Sequence, residues 1–372
     1  MPIAVSEYEH LAGEMLALYE EAEQAMLKRV AKRLARGVNT PGWTEKKYAE
    51  VNAVRKELSG LVGGITKGRM VIAQKSLEKA YTASATAFET EASKFTNLAG
   101  ITRISPNAQK VAAILSELNE SLDAADRMIL RKASDAYADI VGRTAAKVAT
   151  GTITVRDAVK QELDQFAAKG ISSFIDKAGR AWEMSTYAEM ATLTAIERAT
   201  IQGYTDTMQA YGFDLAVISG HMGACPLCAA WEGVIISVSG NDRDHPSLSD
   251  AEGAGVFHPR CLHHLSTYYE GITKNTRNKP RKVMPPSVEY STRQRQRALE
   301  RKIRLWKRRM AAAITPQDER AAYAHVRRYQ ADIRQLIGES EEWLPRKYWR
   351  EGGSVRLSAA AKKLRPVSLP TR

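Results

Sequence analysis

Two short stretches decide how this chain reads: YGFDLAVISGHMGACPLCAAWEG at residues 211–233 and GVFHPRCLHHLSTYYEG at residues 255–271. Within them, Cys225-Pro226-Leu227-Cys228 and His258-Pro259-Arg260-Cys261 each set two metal-ligating side chains three residues apart. A C-x-x-C or H-x-x-C half is a tight turn that aims both side chains at one point. Two halves supply four ligands at the ~2.0–2.3 Å that Zn²⁺ requires. Cys225, Cys228, His258 and Cys261 are therefore expected to form a metal knot. A Cys₃His set closes the tetrahedron and leaves no position for water, so the expected Zn²⁺ is structural and not catalytic. The loop between the halves, 29 residues, is longer than in ordinary zinc fingers, so spacing alone carries moderate weight. His263 and His264 follow directly and either can replace His258, with His264 as the alternative ligand. The competing reading, buried thiols beside polar histidines, is weaker because no cysteine lies outside the cluster. A redox C-x-x-C would need a βαβ pattern around it, and none is present.

The texture around the knot differs from the rest of the chain. Asp214–Ser219 and Val234–Val238 are short β-type runs between glycines. Residues 220–271 are rich in Gly, His, Asp and Ser, so this module has few helix formers and needs a staple. Upstream the pattern is helical. Tyr8, Leu11, Met15, Leu18 and Ala22 mark a helix over 5–37, ended by Asn39-Thr40-Pro41-Gly42. A second helix is expected from about Glu45 to Leu61, an interruption at Gly63-Gly64, and a third helix over 66–97. Ser105-Pro106 is a start signal for a helix to about Val148, and Val155–Ala168 and Gly179–Tyr211 give two more.

Downstream, KNTRNKPRKVMPP reads as an extended basic linker. Helix 291–313 aligns Leu299, Ile303, Trp306 and Met310, with Arg297, Arg301, Arg304 and Arg308 as a neighbouring stripe. Trp306 shares the apolar stripe and reads as core. Thr315-Pro316 caps a second helix, aligned on Ala322, Val326, Tyr329, Ile333 and Leu336 and ended by Gly338. The expected result is a helical hairpin with its apolar seam inward and its arginines outward, followed by a loose basic tail from Gly352. The expected fold class is mainly α with a small α+β zinc-knot module. Its parts are a helical domain 1–211 with room for a break near 98–105, the Cys/His module 212–271, and the basic linker, hairpin and tail 272–372.

The 372-residue chain carries a formal charge of +13, unevenly distributed. Residues 272–372 hold 26 Lys and Arg against 9 Asp and Glu, leaving 29 against 33 in the remainder. Such asymmetry suggests a polyanion-facing segment; a solvated helical surface is the plainer reading. Arginine-rich helices without a groove-reading motif imply non-specific contact with the backbone of double-stranded DNA, with Arg297, Arg301, Arg304 and Arg308 as candidates. No apolar run approaches the ~18 residues of a transmembrane span. The acidic N-terminus does not resemble a secretory signal, and three clustered cysteines do not resemble a disulfide framework; both suit a reducing host cytoplasm as the site of synthesis.

The two stretches quoted above, with GRAWEMSTYAEMATLTA at 179–195 and STRQRQRALERKIRLWKRRM at 291–310, resemble the phage minor capsid protein 2 family, related to Mu F-type head-morphogenesis proteins. The resemblance covers roughly residues 150–350. It implies a non-enzymatic structural protein of a tailed-phage head, acting in assembly and in DNA packaging or delivery. The implied partners are the portal protein, the major capsid protein and packaged DNA, with no membrane. The rival reading is a metal-dependent nuclease using the His-rich loop, where Asp244-His245-Pro246 lies between the two halves. Against it, the second half lacks C-x-x-C-H and Asn241 lies on the wrong side of the histidine. A third reading, a sequence-preferring cytosolic regulator with a zinc knot, predicts discrimination between duplexes.

Overall fold

The computed structural model describes residues 5–96, 107–170, 174, 175, 179, 181–340 and 343–352. Helices dominate: α1 (Val5–Ala35), α2 (Trp43–Ala49), α3 (Val51–Ala92), α4 (Ala108–Ala149), α5 (Val155–Lys169), α6 (Met184–Ala210), α7 (Pro226–Trp231), α8 (Leu248–Gly253), α9 (Val288–Ala312) and α10 (Pro316–Gly338). The strands are short: β1 (Phe174–Ile175), β2 (Ala181–Trp182), β3 (Leu215–Ile218), β4 (Ile235–Ser237) and β5 (Leu265–Thr267). No described helix is long and apolar enough to cross a membrane.

Three expectations need correction. Gly63-Gly64 does not interrupt the chain, and α3 runs unbroken for 42 residues. Each helical glycine costs roughly 1 kcal/mol relative to alanine, but buried Val62 and Ile65 flank the pair and hold that turn. The expected helix 45–61 is divided at Glu50, which caps α2 one residue before α3 begins. Residues 181–182 are not the start of α6. They form β2, paired antiparallel with β1 in the register Phe174↔Trp182. The expected start at Ser105-Pro106, the break near 98–105 and the loose tail beyond Gly352 lie outside the described residues.

The chain packs as two compact units that cut across its linear order. Unit 1 takes residues 1–15, 70–121 and 189–295; unit 2 takes 16–69, 122–188 and 296–372. In unit 1, β3 is the centre of an antiparallel sheet ordered β4-β3-β5. Ala216 faces Ile236 on one side and Thr267 on the other. The apolar run Leu-Ala-Val-Ile of β3 is explained by this central position, buried over three of its four residues. β5, which the sequence reading did not identify, is held partly by α3 and α6. The Thr267 amide donates to Glu91 Oε1 at 3.1 Å and to Tyr204 Oη at 2.8 Å. Phe88, Tyr204, Met208, Ile218, Trp231, Ile236 and Leu265 share one buried cluster. The helices α3 and α6 approach so closely here that a Cβ on Gly203 would collide with the Tyr81 carbonyl. Only glycine permits that crossing.

Unit 2 has a helical core in which Tyr19, Met26, Leu27, Leu34, Leu58 and Tyr137 are fully buried. Asp126 is buried within it, accepting from Tyr19 Oη at 2.9 Å, Thr66 Oγ1 at 3.1 Å and Arg69 Nε at 3.0 Å. The expected apolar stripes of α9 and α10 do meet, with Leu299, Ile303, Val326, Ile333 and Leu336 in one cluster. Thr315 caps α10 as the sequence indicates, accepting from the Asp318 amide at 3.2 Å. Trp306 packs against this cluster half-buried, stacked on His325 with ring centroids 3.6 Å apart.

Candidate metal centre

Cys225 and Cys228 sit at the start of α7. Cys225 is the cap residue, Pro226 opens the helix, and the Cys228 amide donates to Cys225 Sγ at 3.4 Å. A proline at the first helical position is pre-set in φ and forfeits no helical hydrogen bond, so it fixes the turn that brings both sulfurs to one side. The second half is tighter. The Cys261 amide donates to the His258 carbonyl at 2.8 Å, and Phe257 and Arg260 adopt left-handed backbone at φ 57 and 69. Non-glycine residues in that region carry strain that the surroundings must hold. At Arg260 the hold is visible: its guanidinium donates to the buried carboxylate of Glu189 at 2.7 Å.

These two turns bring the donors together. Cys225 Sγ lies 3.2 Å from His258 Nε2, and Cys228 Sγ lies 3.7 Å from Cys261 Sγ. The donors form two triplets, Cys225–Cys228–His258 and Cys228–Cys261–His263, each within 4.8 Å internally. Cys228, wholly buried, belongs to both. Of the four residues singled out in the sequence, Cys225, Cys228 and His258 share one triplet and Cys261 joins Cys228 in the other, with His263 as a fifth donor. Such a set of soft sulfur and imidazole donors fits Zn²⁺ better than a hard cation.

The fifth donor is His263, not the expected alternative His264. His263 Nδ1 is 3.3 Å from Cys261 Sγ, and its Nε2 is 3.1 Å from Glu232 Oε1. A histidine with one nitrogen toward the metal ligands and the other on a carboxylate has the arrangement that fixes a metal-binding tautomer. Glu232 is itself held by the His221 amide at 3.0 Å. His264 belongs to neither triplet; its amide and carbonyl bond Ser219 beside β3. The alternation along a strand explains this, since residues 263 and 264 point to opposite faces as β5 begins.

The protonation pattern expresses the same crowding. The Cys228 pKa is driven far up by its neighbours Cys225 and Cys261 and by burial. Cys225 falls to about 4, chiefly through Cys228, and Cys261 to about 3 for the same reason. Burial works against the charged form of His263, yet Cys261 and Glu232 raise it to about 9. Burial lowers His264 to about 4. Glu197, on α6, lies against Cys261, and burial followed by that sulfur pushes its carboxyl well up. Glu197 also lines a cleft of about 740 Å³ together with Lys110, Arg198, Glu252, Val256 and His258. Glu197 and Glu232 escaped the sequence reading because neither lies in a metal-ligand spacing.

His245 stands apart. Its Nδ1 is 3.0 Å from Asp242 Oδ1 within a surface turn, and it joins neither donor triplet.

The arginine stripe of α9 is split by its packing. Arg301 is exposed and Arg297 half-buried. Arg304 and Arg308 do not face outward, as the sequence suggested, but lie buried in unit 2. Arg304 donates to the Arg350 carbonyl at 2.6 Å and to Thr186 Oγ1 at 3.1 Å. Arg308 donates to the Ala167 carbonyl at 3.1 Å and to Glu183 Oε1 at 2.9 Å. Lys307 is buried beside them, donating to the Gly352 carbonyl, and burial lowers its pKa to about 8. A stripe at helical spacing looks solvated whenever its carboxylate partners come from distant sequence. That is the case for Glu20 and Glu183.

The family model described as phage minor capsid protein 2 matches residues 3–338. A structural protein of Lactococcus phage LL-H is 31% identical over 231 residues, covering 58% of this chain and 61% of that relative. A structural protein of Lactococcus phage mv4 is 36% identical over 101 residues, 26% of this chain and 80% of the relative. No solved structure gives a significant match. With a match that runs through both packing units and the Cys/His cluster, the chain belongs to the phage minor capsid protein 2 family.

Proposed function

We propose that this protein is a structural, non-enzymatic component of a tailed-phage head, present in the virion, with the portal protein, the major capsid protein and packaged DNA as partners. Its Cys/His module is stapled by one Zn²⁺ held by Cys225, Cys228, Cys261 and a histidine. The single observation that carries the reading is the gathering of those donors into two triplets that share the buried Cys228. An ion enclosed by three thiolates and an imidazole holds a fold and offers no site to activate water. Long helical surfaces then supply protein contacts, and the basic region beyond residue 272 supplies contacts to DNA phosphates, salt-sensitive and indifferent to sequence.

Fractionation of phage particles tests the role. After separating DNA-filled heads from tails, the protein is expected with the heads, in few copies relative to the major capsid protein. Its recovery only from the particle-free lysate would overturn the assignment. The rival nuclease reading has a separate check. Purified full-length protein, incubated with plasmid and Mg²⁺ or Mn²⁺, is expected to leave the DNA intact. Cleavage that vanishes in His245→Ala would replace the structural reading with an enzymatic one.

A further inference from the structure

The segment from Gly271 to Ser287 contains no helix or named strand, yet its backbone is fixed. The Arg277 amide donates to the Gly233 carbonyl at 2.8 Å, and the Ile235 amide donates to the Arg277 carbonyl at 2.7 Å. Further along, the Arg281 amide donates to the Ala230 carbonyl at 2.8 Å. Arg277 thus extends the edge of the sheet beside β4 as a one-residue parallel bridge to Val234. Gly233, at φ 75, is the contact that allows this: a Cβ there would lie 2.8 Å from the Asn275 carbonyl oxygen. At the far end, Arg293 of α9 donates to the Met222 carbonyl at 2.7 Å. The segment is a strap laid along the Cys/His module and pinned through its main chain.

Four of its cationic side chains are not used by that pinning. Lys274, Lys279, Arg281 and Lys282 are exposed, and no acidic residue occurs between Glu270 and Glu289. Among the described residues, none of these four cations pairs with a carboxylate. In α9, by contrast, Arg304 and Arg308 are held by Glu20 and Glu183.

We infer that the strap, and not the arginine stripe of α9, is the principal DNA-contacting element, with Lys274, Lys279, Arg281 and Lys282 lying on the phosphates of a duplex. The inference rests on the DNA contact named under the proposed function and specifies where it is made. An extended chain covers at most about 3.6 Å per residue, so the four cations span less than one turn of duplex, about 34 Å. Exposed ion pairs with a folded acidic protein contribute little each. A nucleic acid surrounded by condensed counterions returns much more, because each neutralised phosphate releases ions to solution. The strap is neither a helix nor a two-stranded ribbon, so it lacks the shape that enters a major groove, and the contact is to the backbone alone. Because the main chain is hydrogen-bonded to the module at Arg277 and Arg281, binding there orders chiefly side chains.

The test uses full-length protein and a fluorescently labelled duplex of arbitrary sequence, titrated by anisotropy over a range of salt concentrations. Three proteins are compared: the parent, K274E/K279E/R281E/K282E, and the α9 surface variant R301E/K302E. Circular dichroism establishes that each is folded. The strap variant is expected to bind at least tenfold more weakly, with the log–log salt slope smaller by about 3 to 4, since each phosphate contact contributes about 0.9. The α9 variant is expected to lose much less. If the parent binds and the strap variant matches it in affinity and slope, the strap assignment is wrong while the DNA reading survives. If R301E/K302E loses more than the strap variant, the contact belongs to α9. If the parent does not bind any duplex at low salt, both readings fail together. A second reversal set that keeps Arg281, K274E/K279E/K282E, guards against a folding defect and should show the same direction of change.

Discussion

Cys228→Ser is expected to remove the bound zinc and unfold the Cys/His module, a larger effect than loss of any other single side chain in unit 1. Cys228 is wholly buried and is the one donor common to both triplets, so its loss breaks each of them. It also lies in the buried cluster with Ile218, Trp231 and Ile236, so the serine hydroxyl enters apolar surroundings. Structural zinc sites in small domains supply about 10–16 kcal/mol of apparent binding free energy at neutral pH, and that energy is folding energy. Elemental analysis of purified protein should give one zinc per chain for the parent and none for Cys228→Ser. Chelation of the parent should abolish the protection of residues 215–218 and 265–267 against hydrogen exchange. Parent protein that carries no metal and keeps that protection would falsify the staple. Histidine variants resolve the remaining ligand: His264→Ala should retain zinc, and whichever of His258→Ala and His263→Ala loses it identifies the fourth donor.

Arg308→Ala should destabilise unit 2 by about 3–5 kcal/mol, the usual effect of leaving a buried charge without its partner. A domain's whole stability is about 5–15 kcal/mol, so this one truncation consumes a large part of it. The group that loses its nearer partner is Glu183, left with Arg304 at 3.9 Å. Burial would raise its pKa, but Arg308 and then Arg304 outweigh burial and hold the carboxyl below its ordinary value. A depressed carboxylate contributes stability above its unfolded pKa and loses it as pH falls through the folded pKa. Unit 2 should therefore weaken below the ordinary glutamate range, and the acid transition should flatten in Arg308→Ala. Thermal melts of parent and variant at pH 7 and pH 4 measure both effects; equal melting temperatures at pH 7 would show that the pair contributes nothing. The same packing affects how DNA-binding variants are read. Reversing Arg297, Arg301, Arg304 and Arg308 together would bury two carboxylates against Glu20 and Glu183, so weakened DNA association would report unfolding.

The parts legible in the sequence were those governed by local chemistry. The cap at Thr315, the α9 and α10 stripes and the two turns that carry the cysteines depend on residues close to each other in sequence. The rest depends on partners far away in the chain. Gly63-Gly64 looks like a break until Val62 and Ile65 are seen to be buried. Residues 265–267 do not announce a strand, because their pairing depends on β3, some fifty residues upstream. The arginine stripe of α9 looked like a surface because its acids, Glu20 and Glu183, come from other helices. At the candidate metal centre, spacing pointed to four donors but could not rank His263 over His264. That ranking depends on Glu232, which lies 31 residues from His263.

The interleaving of the two packing units sets the order in which the protein can mature during synthesis. Unit 1 needs residues from both ends of 1–295, and unit 2 draws on residues from 16 onward and beyond 296. Neither can close its core until most of the chain has left the ribosome. Until then α1, α3 and α4 present apolar stripes whose covering partners have not been made. Nascent chains should accordingly lean on host holdases, and removal of α9 and α10 should yield aggregates instead of a smaller folded protein. Once both units close, few short segments can be released without opening a core, a useful property for a structural protein of a phage.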